Sequence, residues 1–81
     1  MYKFAVIGIF IRDMSKISLV NERLHEYAEY IVGRLGIPYR EKNINIISVI
    51  VHAPADTIST LSGKLGNING VTAKAMQTAA D

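Results

Sequence analysis

An α+β fold of order βαββαβ, with a four-stranded antiparallel sheet and two helices on one of its faces, is the arrangement this sequence predicts. Three observations predict it. Residues 3–11 and 44–53 are apolar at both odd and even positions, as strands central to a sheet are. Two other segments carry apolar residues at spacings of three and four, as one-sided helices do. Gly36, Pro38, Asn43, Pro54, Gly66 and Gly70 punctuate the chain between these segments.

The first strand spans residues 3–11, with Ala5, Ile7, Ile9 and Ile11 on one face and Phe4, Val6, Gly8 and Phe10 on the other. Asp13 or Ser15 can accept hydrogen bonds from the amides of a following first turn. The spacing of Ile17, Val20, Leu24, Tyr27, Ala28, Ile31 and Leu35 predicts a helix over 16–35. Gly36 is its expected left-handed cap, and Pro38 forbids continuation. Residues 38–42 read as a short charged strand, placed at a sheet edge by its proline and charges. Asn43 marks a tight turn into the second long strand, 44–53, whose Ile46, Ile47, Val49, Ile50 and Val51 are again apolar on both parities. Pro54 opens a second helix lined by Ile58, Leu61, Ser62 and Leu65. Gly63 is expected at a tight helix–sheet contact and Gly66 at the C-cap. Ile68-Asn69-Gly70 turns the chain into a last strand over 71–77, and the tail 78–81 is expected to fray. Two split βαβ units in this order give the ferredoxin-like arrangement, with the two long apolar strands as the central pair.

Size and composition bound what such a domain can do. The chain has 81 residues and reads as a single domain, 1–81. At this length only roughly 60–65% of the unfolded surface is buried, so a lone chain is marginal. There is no Cys, which rules out disulfides and thiolate zinc sites, so association is the expected source of further stability. Nine Lys and Arg against seven Asp and Glu give a net charge of +2, too small a surplus for a nucleic-acid footprint. No helix-turn-helix or aromatic stacking platform is visible, and no direct nucleic-acid binding is expected. The apolar stretch near the N-terminus is far below the roughly 20 residues of a spanning helix. No membrane contact is expected, and the chain reads as cytoplasmic.

In the predicted fold two helices cover one sheet face, yet the central strands are apolar on both. Whichever parity points outward exposes either Ala5, Ile7, Ile9 and Ile11 or Phe4, Val6 and Phe10, with matching residues of the other long strand. Covering a patch of roughly 500 Å² at about 25 cal/mol per Å² is worth on the order of 10 kcal/mol before association costs. A homo-oligomer, dimer or tetramer, joined through the open sheet face is therefore expected.

Chemistry-bearing residues are sparse. Glu22, His25, Glu26 and Glu29 read as a solvated helix face, since the bundle that makes Glu-x-x-His a metal motif is absent. His52 reads as a polar residue at a strand end, with a ligand at a subunit interface as the alternative. Ser62-Gly63-Lys64-Leu65-Gly66 lacks the spacing of a phosphate loop and lies late in a helix. No metal site and no cofactor are expected. The best ligand candidate is the first strand-to-helix loop, Arg12, Asp13, Met14 and Ser15, through free amides and charge. Arg34, Arg40 and Lys64 are further candidate contacts for a ligand or partner.

Three stretches carry a family resemblance over nearly the whole chain. They are Gly33-Arg34-Leu35-Gly36-Ile37-Pro38-Tyr39-Arg40-Glu41-Lys42-Asn43, then Asp56-Thr57-Ile58 with Leu61-Ser62-Gly63-Lys64-Leu65-Gly66, and finally Gly70-Val71. In them the chain resembles the small ACT-like proteins named iron-only hydrogenase system regulators. The resemblance implies an ACT-like domain and a regulatory role near hydrogenase expression or maturation. Ligand-binding ACT domains carry Asp-x-x-Gly in the first loop, where this chain has Asp13-Met14-Ser15-Lys16. A nickel-responsive relative in fold carries a His/Cys metal set, and this chain has no Cys. With no DNA-binding segment attached, any transcriptional role is expected to run through a partner protein. The expected function is thus a non-enzymatic, ACT-like regulatory homo-oligomer that senses a small molecule or contacts a protein partner. The alternatives are an interaction module with no ligand and, third, a small enzyme built on the acidic–His cluster.

Overall fold

The computed structural model describes residues 1–78. Its elements are β1 (Tyr2–Ile11), α1 (Ile17–Glu26), β2 (Ile31–Tyr39), β3 (Ile44–Pro54), α2 (Ala55–Gly66) and β4 (Val71–Gln77), with single 3-10 turns at Met14–Lys16, Ala28–Tyr30 and Arg40–Lys42. The strands form one antiparallel sheet in the order β2-β3-β1-β4, the ferredoxin-like topology. The two long apolar strands are central, as their patterning requires.

Register decides which parity meets the helices. Ile7 pairs with Val49 and Ala75, and Ile9 with Ile47 and Ala73. These residues face the helices, and Ile7, Ile9, Ile11, Val49 and Val51 close the core with Val20, Leu24, Ile58, Leu61 and Leu65. Each such side chain contributes about 1.5–3 kcal/mol on burial. No polar or charged side chain is buried among the described residues. Nor is any described helix long and apolar enough to cross a membrane.

The first helix is shorter than its spacing predicts. It ends at Glu26, and Tyr27 (φ −112°) leaves the helical region. Ile31 and Leu35 continue the three-and-four spacing but belong to β2. The adjacent β-branched Ile31 and Val32 favour extended backbone, Gly33 and Gly36 disfavour a helix, and pairing along β3 decides for the strand. Gly36 is accordingly no helix cap; it pairs with Ile47 in the ladder. The charged edge strand begins at Ile31 and ends at Tyr39, while Arg40–Lys42 form a turn closed by left-handed Asn43 (φ 55°).

Smaller differences follow the same logic. Gly63 faces open space rather than the sheet, and the C-cap of α2 is Asn67, not Gly66. Thr78 does not fray: its amide donates to the Phe4 carbonyl at 2.9 Å and its hydroxyl accepts from the Phe4 amide at 3.3 Å. The remainder of the tail lies outside the described residues.

Candidate functional site

At the end of β1 the chain reverses beside the turn that starts β4. The Arg12 amide donates to the Gly70 carbonyl at 2.7 Å, and its guanidinium donates to Thr72 Oγ1 at 2.9 Å. Asp13 follows as the cap of the 3-10 turn. Its Oδ1 accepts from the Ser15 amide at 3.0 Å and the Ser15 hydroxyl at 2.7 Å. Those bonds, the hydroxyl first, hold the Asp13 carboxyl below its ordinary value, with a smaller contribution from Lys16. The Lys16 amide donates to the Asp13 carbonyl at 2.9 Å.

This hydrogen bonding corrects one expectation. The amides of Arg12, Ser15 and Lys16 are engaged within the chain, so the loop does not present them to an anion. What it presents is side chains. Met14 lines a cleft of about 200 Å³ with Pro38, Tyr39, Arg40 and Asn43, where the turn after β2 comes alongside. The fold thus brings Met14 and Arg40 together, with Arg12, Asp13 and Ser15 in the adjoining loop.

Arg34 and Lys64 lie elsewhere. Arg34 donates to Asn21 Oδ1 at 2.7 Å and lines a separate cleft of about 340 Å³ with Leu24, His25 and Ile31. Lys64 lies 3.9 Å from Glu26 and 5.2 Å from the centre of the Tyr27 ring. Glu29 has left the helix that carries Glu22, His25 and Glu26. Among the described residues no group of three or more His, Cys, Asp and Glu side chains could hold a metal ion.

The outer sheet face is apolar and uncovered in the single chain. Phe4, Val6, Phe10 and Ile50 remain 38–45% exposed there, and Leu35 of β2 and Met76 of β4 extend the patch. Rows run straight across the sheet: Ile37–Ile46–Phe10–Thr72, Leu35–Ser48–Gly8–Lys74, and Ile50–Val6–Met76. Phe4, Val6, Ile50 and Met76 form the walls of an apolar cleft of about 170 Å³. At one end His52 stacks on Phe4, with ring centres 4.4 Å apart, and Tyr2 lies tilted at 5.1 Å. The sequence shows that one apolar face must be uncovered but not which parity. The aromatic cluster becomes visible only once Phe4 is known to pair with His52.

Comparison with known proteins sets this geometry in a family. The chain matches the TM1266-like family model, described as "Iron-only hydrogenase system regulator, putative", over residues 3–75. It is similar to the solved structure of the uncharacterized protein TM1266 from Thermotoga maritima, with 38% identity and a TM-score of 0.90 over 95% of this chain and 98% of that one. A formyltetrahydrofolate deformylase from Pseudomonas putida KT2440 shares the fold, with a TM-score of 0.64 and 15% identity over 90% of this chain and 28% of the larger protein. No curated protein matches.

Proposed function

The chain belongs to the TM1266-like family of iron-only hydrogenase system regulators, and from that premise we propose that it is a non-enzymatic, ACT-like regulatory subunit working as a homo-oligomer joined through the outer sheet face. Family membership supports the regulatory role. The observation that carries the mechanism is the uncovered apolar face with Phe4, Val6, Phe10 and Ile50, whose extent favours cover by another chain. A ligand in the cleft of Met14, Tyr39 and Arg40, or a protein partner, acts by favouring one arrangement of subunits over another.

A second reading is an interaction module with no small ligand. The internal engagement of the Arg12, Ser15 and Lys16 amides favours it. Thermal unfolding against amino acids, nucleotides and metal ions separates the two. A ligand at about one hundred times its Kd adds about 2.7 kcal/mol and raises Tm. Such a rise, lost on Met14→Ala or Arg40→Ala, supports sensing; a flat response across the panel supports the module. Light scattering that finds a single-chain mass at high concentration overturns the assembly.

A further inference from the structure

We propose that the open edge of β2 takes an extended segment of a partner protein as a further strand, with an acidic side chain against Arg34 and apolar side chains beside Leu35 and Ile37. Which backbone groups that edge offers follows from bonds at the far side of the sheet. The Arg12 amide donates to the Gly70 carbonyl and the Thr78 amide to the Phe4 carbonyl. Even-numbered residues of β1 therefore turn their backbone toward β4, and odd-numbered ones toward β3. Ile7 and Ile9 oppose Val49 and Ile47, so these bond to β1, and Ser48 and Ile46 turn toward β2. Their partners there are Leu35 and Ile37. Arg34, Gly36 and Pro38 are left with their backbone on the open edge, and Pro38 sits where the ladder needs no amide. Arg34 and Gly36 each offer an amide and a carbonyl, and Pro38 a carbonyl; no hydrogen bond outside the sheet reaches them among the described residues.

Side chains on both faces select what is added. On the helix side the Arg34 guanidinium is steadied by Asn21 Oδ1 at 2.7 Å, in a cleft shared with His25. No carboxylate lies within ion-pair distance of it among the described residues, and Glu22 and Glu26 are directed to Arg23 instead. A residue opposite Arg34 shares its face, where an acid is the favoured neighbour. On the outer side Leu35 and Ile37 are 62% and 51% exposed, and alternate residues of an added strand lie beside them. A second copy of β2 fits worse. Pairing outward backbone to outward backbone sets Arg34 opposite Arg34, diagonal to it, or opposite Pro38. The first two bring like charges together, and the third meets a residue with no amide to give. The inference rests on the partner-contact branch of the reading above, since a copy seated on the outer face leaves this edge open at the side.

The test selects short random peptide segments for binding to the full chain and follows amide hydrogen exchange with an enriched segment bound. The expected result is enrichment of segments in which Asp or Glu alternates with Val, Ile or Leu. The Arg34 and Gly36 amides should slow on binding, while those of Leu35 and Ile37, already in the ladder, keep their rates. Gly36→Pro removes an outward amide without touching the ladder, and the segment should bind it about tenfold more weakly. Gly36→Ala keeps that amide, and its Cβ would meet only Ile47 Cγ1 at 3.9 Å, so it should bind as the unsubstituted chain does. Arg34→Gln should lose the acidic preference. Circular dichroism and light scattering establish equal fold and mass for each variant; if Gly36→Pro does not fold, the exchange rates decide. No enrichment over background, protection at other amides, equal binding to Gly36→Pro, or an acidic preference that survives Arg34→Gln overturns the proposal. So does a fall in mass in folded Gly36→Pro, which would make the edge a contact between copies. The regulatory assembly is judged on the mass and thermal response of the unsubstituted chain, which none of these failures alters.

Discussion

A Cβ placed on Gly70 would lie 2.6 Å from the Cβ of Asp13, and Gly70 holds a φ of +82°. Both facts oppose any side chain there, and together they clamp the first loop to the turn before β4. Gly70→Ala is expected to cost about 1–3 kcal/mol for the left-handed backbone alone. Urea unfolding should show a lower midpoint at unchanged slope; an unchanged midpoint would mean that loop and turn separate without penalty. Asp13 offers a second check. Its carboxyl sits below the ordinary value of 3.8, chiefly through the Ser15 hydroxyl. A carboxylate with a depressed native pKa contributes stability that is complete above its unfolded value and fades as pH falls through the native one. The contribution is therefore full above about pH 5 and fades progressively as pH falls below about 4 through the native value. Ser15→Ala removes the largest cause, so the Asp13 midpoint in an NMR titration should rise toward the ordinary value. A midpoint that stays put would assign the depression to the backbone amide instead.

The length of α1 turns on residues whose spacing and backbone preference disagree. Ile31 and Leu35 sit at helical spacing from Leu24 and Tyr27, and that periodicity is real in the sequence. Leu35, however, is 62% exposed on the outer sheet face, and Arg34 pairs with Val49 along the ladder. Periodicity alone does not distinguish a helix that continues from a strand that starts in step with it. Ile31-Val32 followed by Gly33 was the legible warning, because β-branched residues and glycine both weaken a helix. By contrast, Asn43, Gly70 and the two long strands were readable, since each follows from one local rule. The bulge between Ile31 and Gly33 leaves a Cβ on Gly33 with nothing within 4 Å. Gly33→Ala should accordingly be neutral or stabilise by up to about 1 kcal/mol through the unfolded state, with helix content by circular dichroism unchanged. A gain in helix content would mean that the strand assignment hangs on that glycine alone.

On the scale of the molecule, the outer face combines apolar rows with one sign of charge. Lys74 lies in the middle row and Arg12 beside Thr72, while no Asp or Glu occupies an outward position on the described strands. Two copies meeting through this face bury apolar area against mutual repulsion of these cations. The need for cover could be read from the strands' double-sided greasiness, but this charge pattern could not, because it depends on which parity faces out. It makes salt diagnostic. Screening relieves like-charge repulsion and leaves burial intact, so self-association should tighten as salt rises. Ile50→Asp, at a position 43% exposed, places an acid in the apolar patch of each copy. Light scattering should then report single chains with native circular dichroism, and Tm should lose its dependence on protein concentration. A variant that keeps the wild-type mass would show that the subunits meet elsewhere, and association that weakens with salt would point to oppositely charged surfaces in place of this face.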